Sequence, residues 1–154
     1  MNRYDRQIRL PEIGQGGQEK LLNASILCVG AGGLGSPALL YLAAAGVGRI
    51  GIIDFDRIDE SNLQRQILFD TDDVGKQKAL EAAQRLKALN PGIKIEAYNA
   101  ELSIENVAQL FPIYDIVLDG TDNFETKFGQ PPFQSPPFKL QFCGTGGMNE
   151  GAGA

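Results

Sequence analysis

A glycine-rich turn between an apolar run and an alanine-rich segment restricts the fold of this chain more than any other feature. Residues 25–29 are short, apolar and partly β-branched, as in a buried strand. Residues 34–47 are rich in alanine and leucine, which favour a helix packed against a sheet. The pattern Gly30-x-Gly32-x-x-Gly35 lies between the two. A strand, a tight turn and a helix in this order predict the beginning of a βαβ unit.

Strand and helix signals alternate along the rest of the chain. The apolar patterns predict strands at 49–54, 93–98 and 113–118, and helices at 75–90 and 104–111. This alternation predicts an α/β fold with a Rossmann-like, doubly wound and mainly parallel sheet. Ligands of such sheets bind at the carboxyl ends of the strands, so the segments that follow the strands are expected to form one site.

Composition narrows the chemistry that this site can perform. The 154 residues contain no histidine, which excludes Ser-His and Cys-His nucleophilic catalysis and histidine-rich metal sites. A net charge of −5 disfavours nucleic acid as a partner, and no apolar run is long enough for a membrane span. Cys28 and Cys143 stand apart and make neither a disulfide framework nor a zinc motif. Together with a charged N-terminus, these features predict a cytoplasmic protein.

The glycine-rich turn and the acid after the next strand predict a nucleotide site. Glycines allow close approach of phosphate groups, and the helix N-terminus adds free N–H groups and a partial positive charge. Asp54 ends the second predicted strand, where an acid usually accepts hydrogen bonds from the ribose hydroxyls. The alternatives are a tight turn without a ligand and an ordinary surface carboxylate. These two features do not separate NAD from ATP.

Polar and cationic residues further along the chain favour a triphosphate. Asn62 and Arg65 lie on the turn after the second strand, and Lys78 opens the next helix. A triphosphate whose α-phosphate is attacked needs extra cations for the leaving pyrophosphate, whereas a dinucleotide does not. Asp122 is then expected to hold Mg²⁺. Alternatively, both cations are solvated surface residues, and Asp119 and Asp122 merely cap a helix.

Six segments, in order and at matching spacing, resemble the ThiF/MoeB/HesA adenylyltransferases, the prokaryotic relatives of ubiquitin-activating enzymes. The resemblance covers residues 3–128 and rests on Arg3-Tyr4-Asp5-Arg6-Gln7-Ile8, Gly30-Ala31-Gly32-Gly33-Leu34-Gly35-Ser36, Asp54-Phe55-Asp56, Asn62-Leu63-Gln64-Arg65-Gln66, Gly75-Lys76-Gln77-Lys78 and Thr121-Asp122-Asn123. It implies an ATP-dependent adenylyltransferase that activates the C-terminal glycine of a ubiquitin-like sulfur carrier ending in Gly-Gly and releases pyrophosphate. Carriers of this kind serve molybdopterin or thiamine biosynthesis.

The resemblance also implies a role for each matching residue. Asp54 binds the ribose, while Asp122, next to Asn123 in the nucleotide site, places Mg²⁺ and is a catalytic residue. Arg6 reaches the triphosphate in the other subunit of a homodimer. The ATP phosphates are contacted by Gly30, Gly32, Gly33, Gly35, Asn62, Arg65 and Lys78. The catalytic set that follows is Asp122, Arg65, Lys78 and Arg6.

The predicted domain organisation separates a nucleotide-binding domain from a tail of different character. Residues 1–128 are expected to form the ThiF-type domain, with a helical arm at 1–24. Residues 129–154 contain two Pro-Pro pairs, lack apolar periodicity and are expected to be irregular and non-homologous. This change predicts a truncated or frame-shifted coding sequence, whose product is either an enzyme or a non-catalytic nucleotide-binding remnant. A different class, an NAD(P)-dependent oxidoreductase, is the remaining alternative.

Overall fold

The centre of the fold is a parallel sheet. A computed structural model describes residues 3–121 and 139–142. The strands are β1 (Ser25–Val29), β2 (Arg49–Ile53), β3 (Lys94–Tyr98), β4 (Ile116–Asp119) and β5 (Lys139–Phe142). They pair in the order β3-β2-β1-β4-β5, and every neighbouring pair is parallel. This sheet confirms the predicted Rossmann-like α/β class.

Helices connect the strands on both faces of the sheet, as the strand and helix alternation predicts. The α-helices are α1 (Asp5–Ile8), α2 (Gly14–Asn23), α3 (Gly35–Ala45), α4 (Lys78–Leu89) and α5 (Ile104–Leu110). Short 3-10 turns lie at Glu60–Asn62, Thr71–Asp73 and Phe111–Ile113. Helix α4 begins at Lys78 and not at residue 75, because Gly75 has a φ of +86°, which belongs to a turn.

The central strands β1 and β2 are largely buried on both faces of the sheet, which is why they are almost entirely apolar. On one face, Leu39 and Ala43 of α3 and Leu86 of α4 pack against the sheet. On the other face, Val107 of α5 and the adjoining Phe111 cover it. Alternate strand residues enter each cluster: Cys28, Ile50 and Ile52 enter the first, and Leu27, Val29 and Ile53 enter the second.

Within the described residues, no helix is both long and apolar enough to cross a membrane.

Strand β5 corrects the prediction of irregular structure at its four residues. Lys139–Phe142 pairs in parallel with β4, with Val117 opposite Leu140 in the register. The alternation of Lys139, Leu140, Gln141 and Phe142 is a strand pattern, but the surrounding prolines and glycines hide it. An unpaired β4 would present free backbone groups, which a short extended segment can satisfy. The boundary at residue 128 stays a prediction, since the rest of 129–154 lies outside the described residues.

The N-terminal segment is anchored at the end of the sheet at which the strands begin. The ring of Tyr4 is buried and fills the space beside Gly46, where a Cβ would lie 2.5 Å from the ring. The Tyr4 hydroxyl accepts a hydrogen bond from Asn90 Nδ2 at 2.8 Å, and Gln7 Nε2 donates to the carbonyl of Ala45 at 2.8 Å. These partners are the ends of α3 and α4, which run back from the carboxyl ends of the strands. The arm that carries Arg6 therefore lies at the opposite end of the sheet from those carboxyl ends.

Candidate functional site

A cavity of about 580 Å³ opens at the carboxyl ends of β1, β2 and β4. Its walls come from four segments that are far apart in the sequence. The lining residues are Gly30, Gly32, Gly33, Leu34, Asp54, Asp56, Asn62, Arg65, Gln66, Lys78, Gly120 and Thr121. The structure thus brings together seven of the predicted residues: Gly30, Gly32, Gly33, Asp54, Asn62, Arg65 and Lys78.

The glycine turn is held tightly between the strand and the helix. Gly30 has a φ of +86°, a conformation that side chains rarely adopt, and its N–H donates to the carbonyl of Ile53 at 2.8 Å. A Cβ at Gly35 would lie only 2.0 Å from the carbonyl oxygen of Gly30. Gly35 therefore serves the close packing of α3 on the turn, and it does not line the cavity.

The turn leaves backbone donors free at the start of α3. In the described part of the chain, the N–H groups of residues 32–34 donate no hydrogen bond to any backbone or side-chain acceptor. Free amides at the beginning of a helix of 11 residues, together with the helix dipole, attract an anion. Because Gly32, Gly33 and Leu34 line the cavity, this donor set is available to a phosphate group there.

Asp54 joins the turn to the next wall of the cavity. Its Oδ2 accepts the N–H of Ala31 at 2.8 Å, and its Oδ1 accepts the N–H of Asp56 at 2.8 Å. Burial raises the pKa of the Asp54 carboxyl, against the lowering effect of these two amides. Each carboxylate oxygen accepts more than one hydrogen bond, so the group can also accept ribose hydroxyls.

Lys78 lies in the cavity wall with Asp56 as its counter-ion. The Lys78 Nζ lies 3.0 Å from Asp56 Oδ2, and the side chains are 6% and 51% exposed, respectively. The backbone N–H of Lys78 also donates to the carbonyl of Asp56 at 3.0 Å. The predicted cation is thus buried and fixed in direction, while its partner is open to water. Asp56 was not among the predicted site residues, although the Asp-x-Asp spacing after β2 is a usable signal.

Arg65 lies across the glycine turn. A Cβ at Gly33 would lie 3.3 Å from Arg65 Cδ, so the missing side chain leaves room for the arginine stem. The guanidinium Nη1 donates to the carbonyl of Ser61 at 3.3 Å, and the exposed head remains beside the cavity. Asn62 is half-buried at the start of the same turn, and its carbonyl accepts the N–H of Arg65 at 3.1 Å. Both residues line the cavity, and their contacts with phosphate groups stay a prediction.

Gln66 is the second cavity residue that sequence reasoning missed. It is 4% exposed, and its Nε2 lies 3.7 Å from the Cβ position of Gly32. In the sequence it is one more polar residue of a motif, and no local pattern indicates that its side chain turns inward.

The remaining predicted residues are Arg6, Asp122 and Asn123. Arg6 is exposed on α1, at the opposite edge of the sheet, and does not reach the cavity of its own chain. Asp122 and Asn123 lie outside the described residues, directly after Thr121 of the cavity wall. Asp119 Oδ1 accepts the N–H of Thr121 at 2.9 Å. Within residues 3–121 and 139–142, no group of three or more acidic or cysteine side chains is placed to hold a metal ion.

Curated relatives share about half of the aligned residues with this chain. The model of the ThiF family matches residues 4–129. A sulfur carrier protein adenylyltransferase of Thermus thermophilus is 52% identical over 128 residues, which are 83% of this chain and 47% of that protein. A probable adenylyltransferase/sulfurtransferase MoeZ of Mycobacterium tuberculosis is 52% identical over 126 residues, 82% of this chain and 32% of that protein. The chain thus spans less than half the length of these relatives.

Solved structures share the fold. The E. coli tRNA N6-threonylcarbamoyladenosine dehydratase TcdA in complex with ATP matches with a TM-score of 0.73 and 35% identity, over 78% of this chain and 49% of that one. E. coli MccB with ATP matches with a TM-score of 0.71 and 32% identity, over 81% and 39% of the two chains. The family model matches more than half of the chain. This chain therefore belongs to the ThiF family.

Proposed function

We propose that this chain is the nucleotide-binding part of an adenylyltransferase that activates the C-terminal glycine carboxylate of a ubiquitin-like sulfur carrier ending in Gly-Gly. One observation carries the proposal: two cations, Arg65 and Lys78, converge with the free amides of residues 32–34 in one cavity. This donor set suits a triphosphate. Asp54, in the same cavity, suits the ribose.

The reaction needs positioning and charge neutralisation more than covalent catalysis. The carrier carboxylate attacks the α-phosphate in line, the bond to the β-phosphate breaks, and pyrophosphate leaves with the electron pair. The amides of residues 32–34 hold phosphate oxygens, while Arg65 and Lys78 neutralise charge on the leaving group. Asn62 borders the same phosphates, and Asp122, by family resemblance, places Mg²⁺. Bound Mg²⁺ supplies further neutralisation of the phosphate charge.

An NAD(P)-dependent oxidoreductase, the alternative function, would give Arg65 and Lys78 no phosphate charge to neutralise. A dinucleotide carries a diphosphate, which the amides at the start of α3 can hold by themselves. The buried Lys78 would then keep Asp56 as its counter-ion and would have no third phosphate to neutralise. A non-catalytic nucleotide-binding module is the second alternative, since it would use the same cavity without turnover. The relatives named as adenylyltransferases support the enzyme.

Thermal shift with ATP·Mg²⁺ and with NAD tests the nucleotide proposal. A ligand that binds only the folded state stabilises it by about 2.7 kcal/mol at a hundredfold excess over its dissociation constant. We expect a clear rise in Tm with ATP·Mg²⁺ and none with NAD at equal concentration. A rise with NAD alone would contradict the proposal. Pyrophosphate exchange with a sulfur carrier then separates an enzyme from a non-catalytic module.

We also propose a homodimer in which Arg6 of each subunit serves the cavity of the other. The position of α1 supports this, because Arg6 lies at the far edge of the sheet from its own cavity. Co-expression of Arg6→Ala with Arg65→Ala tests it directly. Half of randomly assembled dimers are mixed, and each has one cavity with both arginines, so about a quarter of the wild-type sites should return.

The readout of the mixing experiment is the number of tight ATP sites per dimer, measured by calorimetry. Each variant alone is expected to lack such sites, because every cavity then misses one arginine. A mixture with no more sites than the separate variants would contradict the shared site. Co-expression of Arg9→Ala with Arg65→Ala is the control for mixing, since Arg9 is a neighbouring exposed arginine.

A further inference from the structure

Gln66 carries a polar atom without a partner inside the cavity wall. Its backbone is fixed on both sides: its N–H donates to the carbonyl of Asn62 at 3.0 Å, and its carbonyl accepts the N–H of Phe69 at 3.1 Å. The residue is 4% exposed. Its Oε1 is buried and accepts no hydrogen bond, the single such side-chain atom among the described residues.

An unpaired buried oxygen indicates a role beyond packing. The great majority of buried polar side-chain atoms in folded proteins have a hydrogen-bond partner, and each exception needs an explanation. A methionine or leucine would fill the same volume without burying an unpaired oxygen. Since Gln66 lines the cavity, the missing donor can come from the molecule that occupies it.

The position of the side chain restricts which donor this is. Gln66 Nε2 lies beside Gly32, one of the residues with a free amide, so the carboxamide borders the phosphate end of the cavity. Phosphate groups of a nucleotide are acceptors near neutral pH and cannot satisfy Oε1. The donors of ATP nearest to its phosphates are the ribose hydroxyls, whereas the adenine amino group is farther away. The terminal torsion of glutamine is soft, so a small rotation turns Oε1 toward such a donor.

We propose that Gln66 is a specificity-determining residue whose carbonyl oxygen accepts a hydrogen bond from a ribose hydroxyl of the bound nucleotide. This inference rests on the proposed nucleotide function and adds to it a second reader of the ribose beside Asp54. It makes Gln66 an element of selectivity for ribonucleotides over deoxyribonucleotides.

Gln66→Met tests the inference with two opposite effects. The free variant should melt a few degrees higher than the unaltered chain, because the unpaired buried oxygen is gone. Its affinity for ATP·Mg²⁺ should fall by about tenfold, the loss expected for one hydrogen bond. A purely structural residue would lose stability and would not discriminate between nucleotides. Gln64→Met, an exposed glutamine of the same turn, is the matched control and should change neither property.

Nucleotide analogues identify the donor. One of the two analogues, 2′-deoxy-ATP or 3′-deoxy-ATP, lacks the hydroxyl that donates to Gln66. The variant and the unaltered chain should bind that analogue with the same affinity, because it cannot form the hydrogen bond with either chain. Equal weakening of ATP, both deoxy analogues and inorganic tripolyphosphate would assign Gln66 to the phosphates and overturn the proposal. Unchanged ATP affinity in the variant would also overturn it, with the nucleotide function intact. An unaltered chain that binds no ATP would refute both.

Discussion

Replacement of Gly35 by alanine is expected to destabilise the fold strongly. The new Cβ would lie 2.0 Å from the carbonyl oxygen of Gly30 and 2.9 Å from its carbonyl carbon. Both atoms belong to the backbone of the turn, so neither can rotate away, and α3 must move off the sheet. Overpacking of this kind, with loss of contact along a buried helix, should lower the free energy of unfolding by about 3 kcal/mol or more. Urea denaturation of the purified variant measures this loss.

Two other glycines give matched controls for Gly35→Ala. A Cβ at Gly33 would meet Arg65 Cδ at 3.3 Å, and a flexible arginine can give way. We therefore expect Gly33→Ala to fold with nearly unchanged stability but to bind ATP more weakly, because Arg65 is displaced from the turn. Gly16, exposed within α2, has no atom within 4 Å of its Cβ position, so alanine there should be neutral or slightly stabilising. Equal stability of all three variants would contradict this account of the turn.

Lys78→Met should remove most of the affinity for a triphosphate while leaving the fold intact. The Lys78 side chain is nearly inaccessible and lines the cavity, so the proposed hydrogen bond to a phosphate would form away from bulk water. A charge-assisted bond of this kind contributes about 1.5–3 kcal/mol, which is roughly a tenfold to hundredfold change in the dissociation constant. Stability should change little, because Asp56 is half exposed and water replaces the lost ion pair.

Lys76→Met is the control, since it removes a lysine two positions away from the cavity wall. The Lys76 ammonium is paired with Asp73 at 3.0 Å, and its side chain is 46% exposed. Isothermal titration with ATP·Mg²⁺ and with AMP measures both variants. We expect Lys78→Met to lose more affinity for ATP than for AMP, and Lys76→Met to lose neither. Equal losses in the two variants would show that general charge, and not the position of Lys78, governs binding.

The fold follows from the sequence where local pattern and burial agree. Strands β1 and β2 and helix α3 combine apolar runs with neighbouring glycines, and β3 alternates apolar and polar residues, so their places are predictable within a few residues. Strand β4 begins at Ile116 and not at 113, because Phe111–Ile113 forms a 3-10 turn with proline at its start. Strand β5 depends on pairing with β4, a contact between distant residues that composition around it conceals.

Some residues of the candidate site are likewise predictable from the sequence, and others are not. Asp54, Arg65 and Lys78 belong to motifs with a chemical reason for each residue type, and the structure brings them to one cavity with three of the four predicted glycines, Gly30, Gly32 and Gly33. The sequence does not predict Asp56 and Gln66 as site residues, because their place in the site depends on the direction of their side chains. Asp56 faces Lys78, and Gln66 is enclosed by the turn. Arg6 differs again, since its expected role depends on a second subunit and no pattern within one chain can contain it.

The hydrogen bonds of Asp54 imply that the nucleotide meets a preorganised site. One carboxylate oxygen fixes Ala31 at the head of the glycine turn, and the other fixes Asp56, whose carbonyl and carboxylate in turn hold Lys78. The glycine turn and Lys78 are therefore parts of one connected frame before any ligand arrives. Binding then orders few additional protein groups, so more of each contact's free energy appears as affinity. With Asp54 in its proposed role, the same connection would couple ribose recognition to the position of the phosphates.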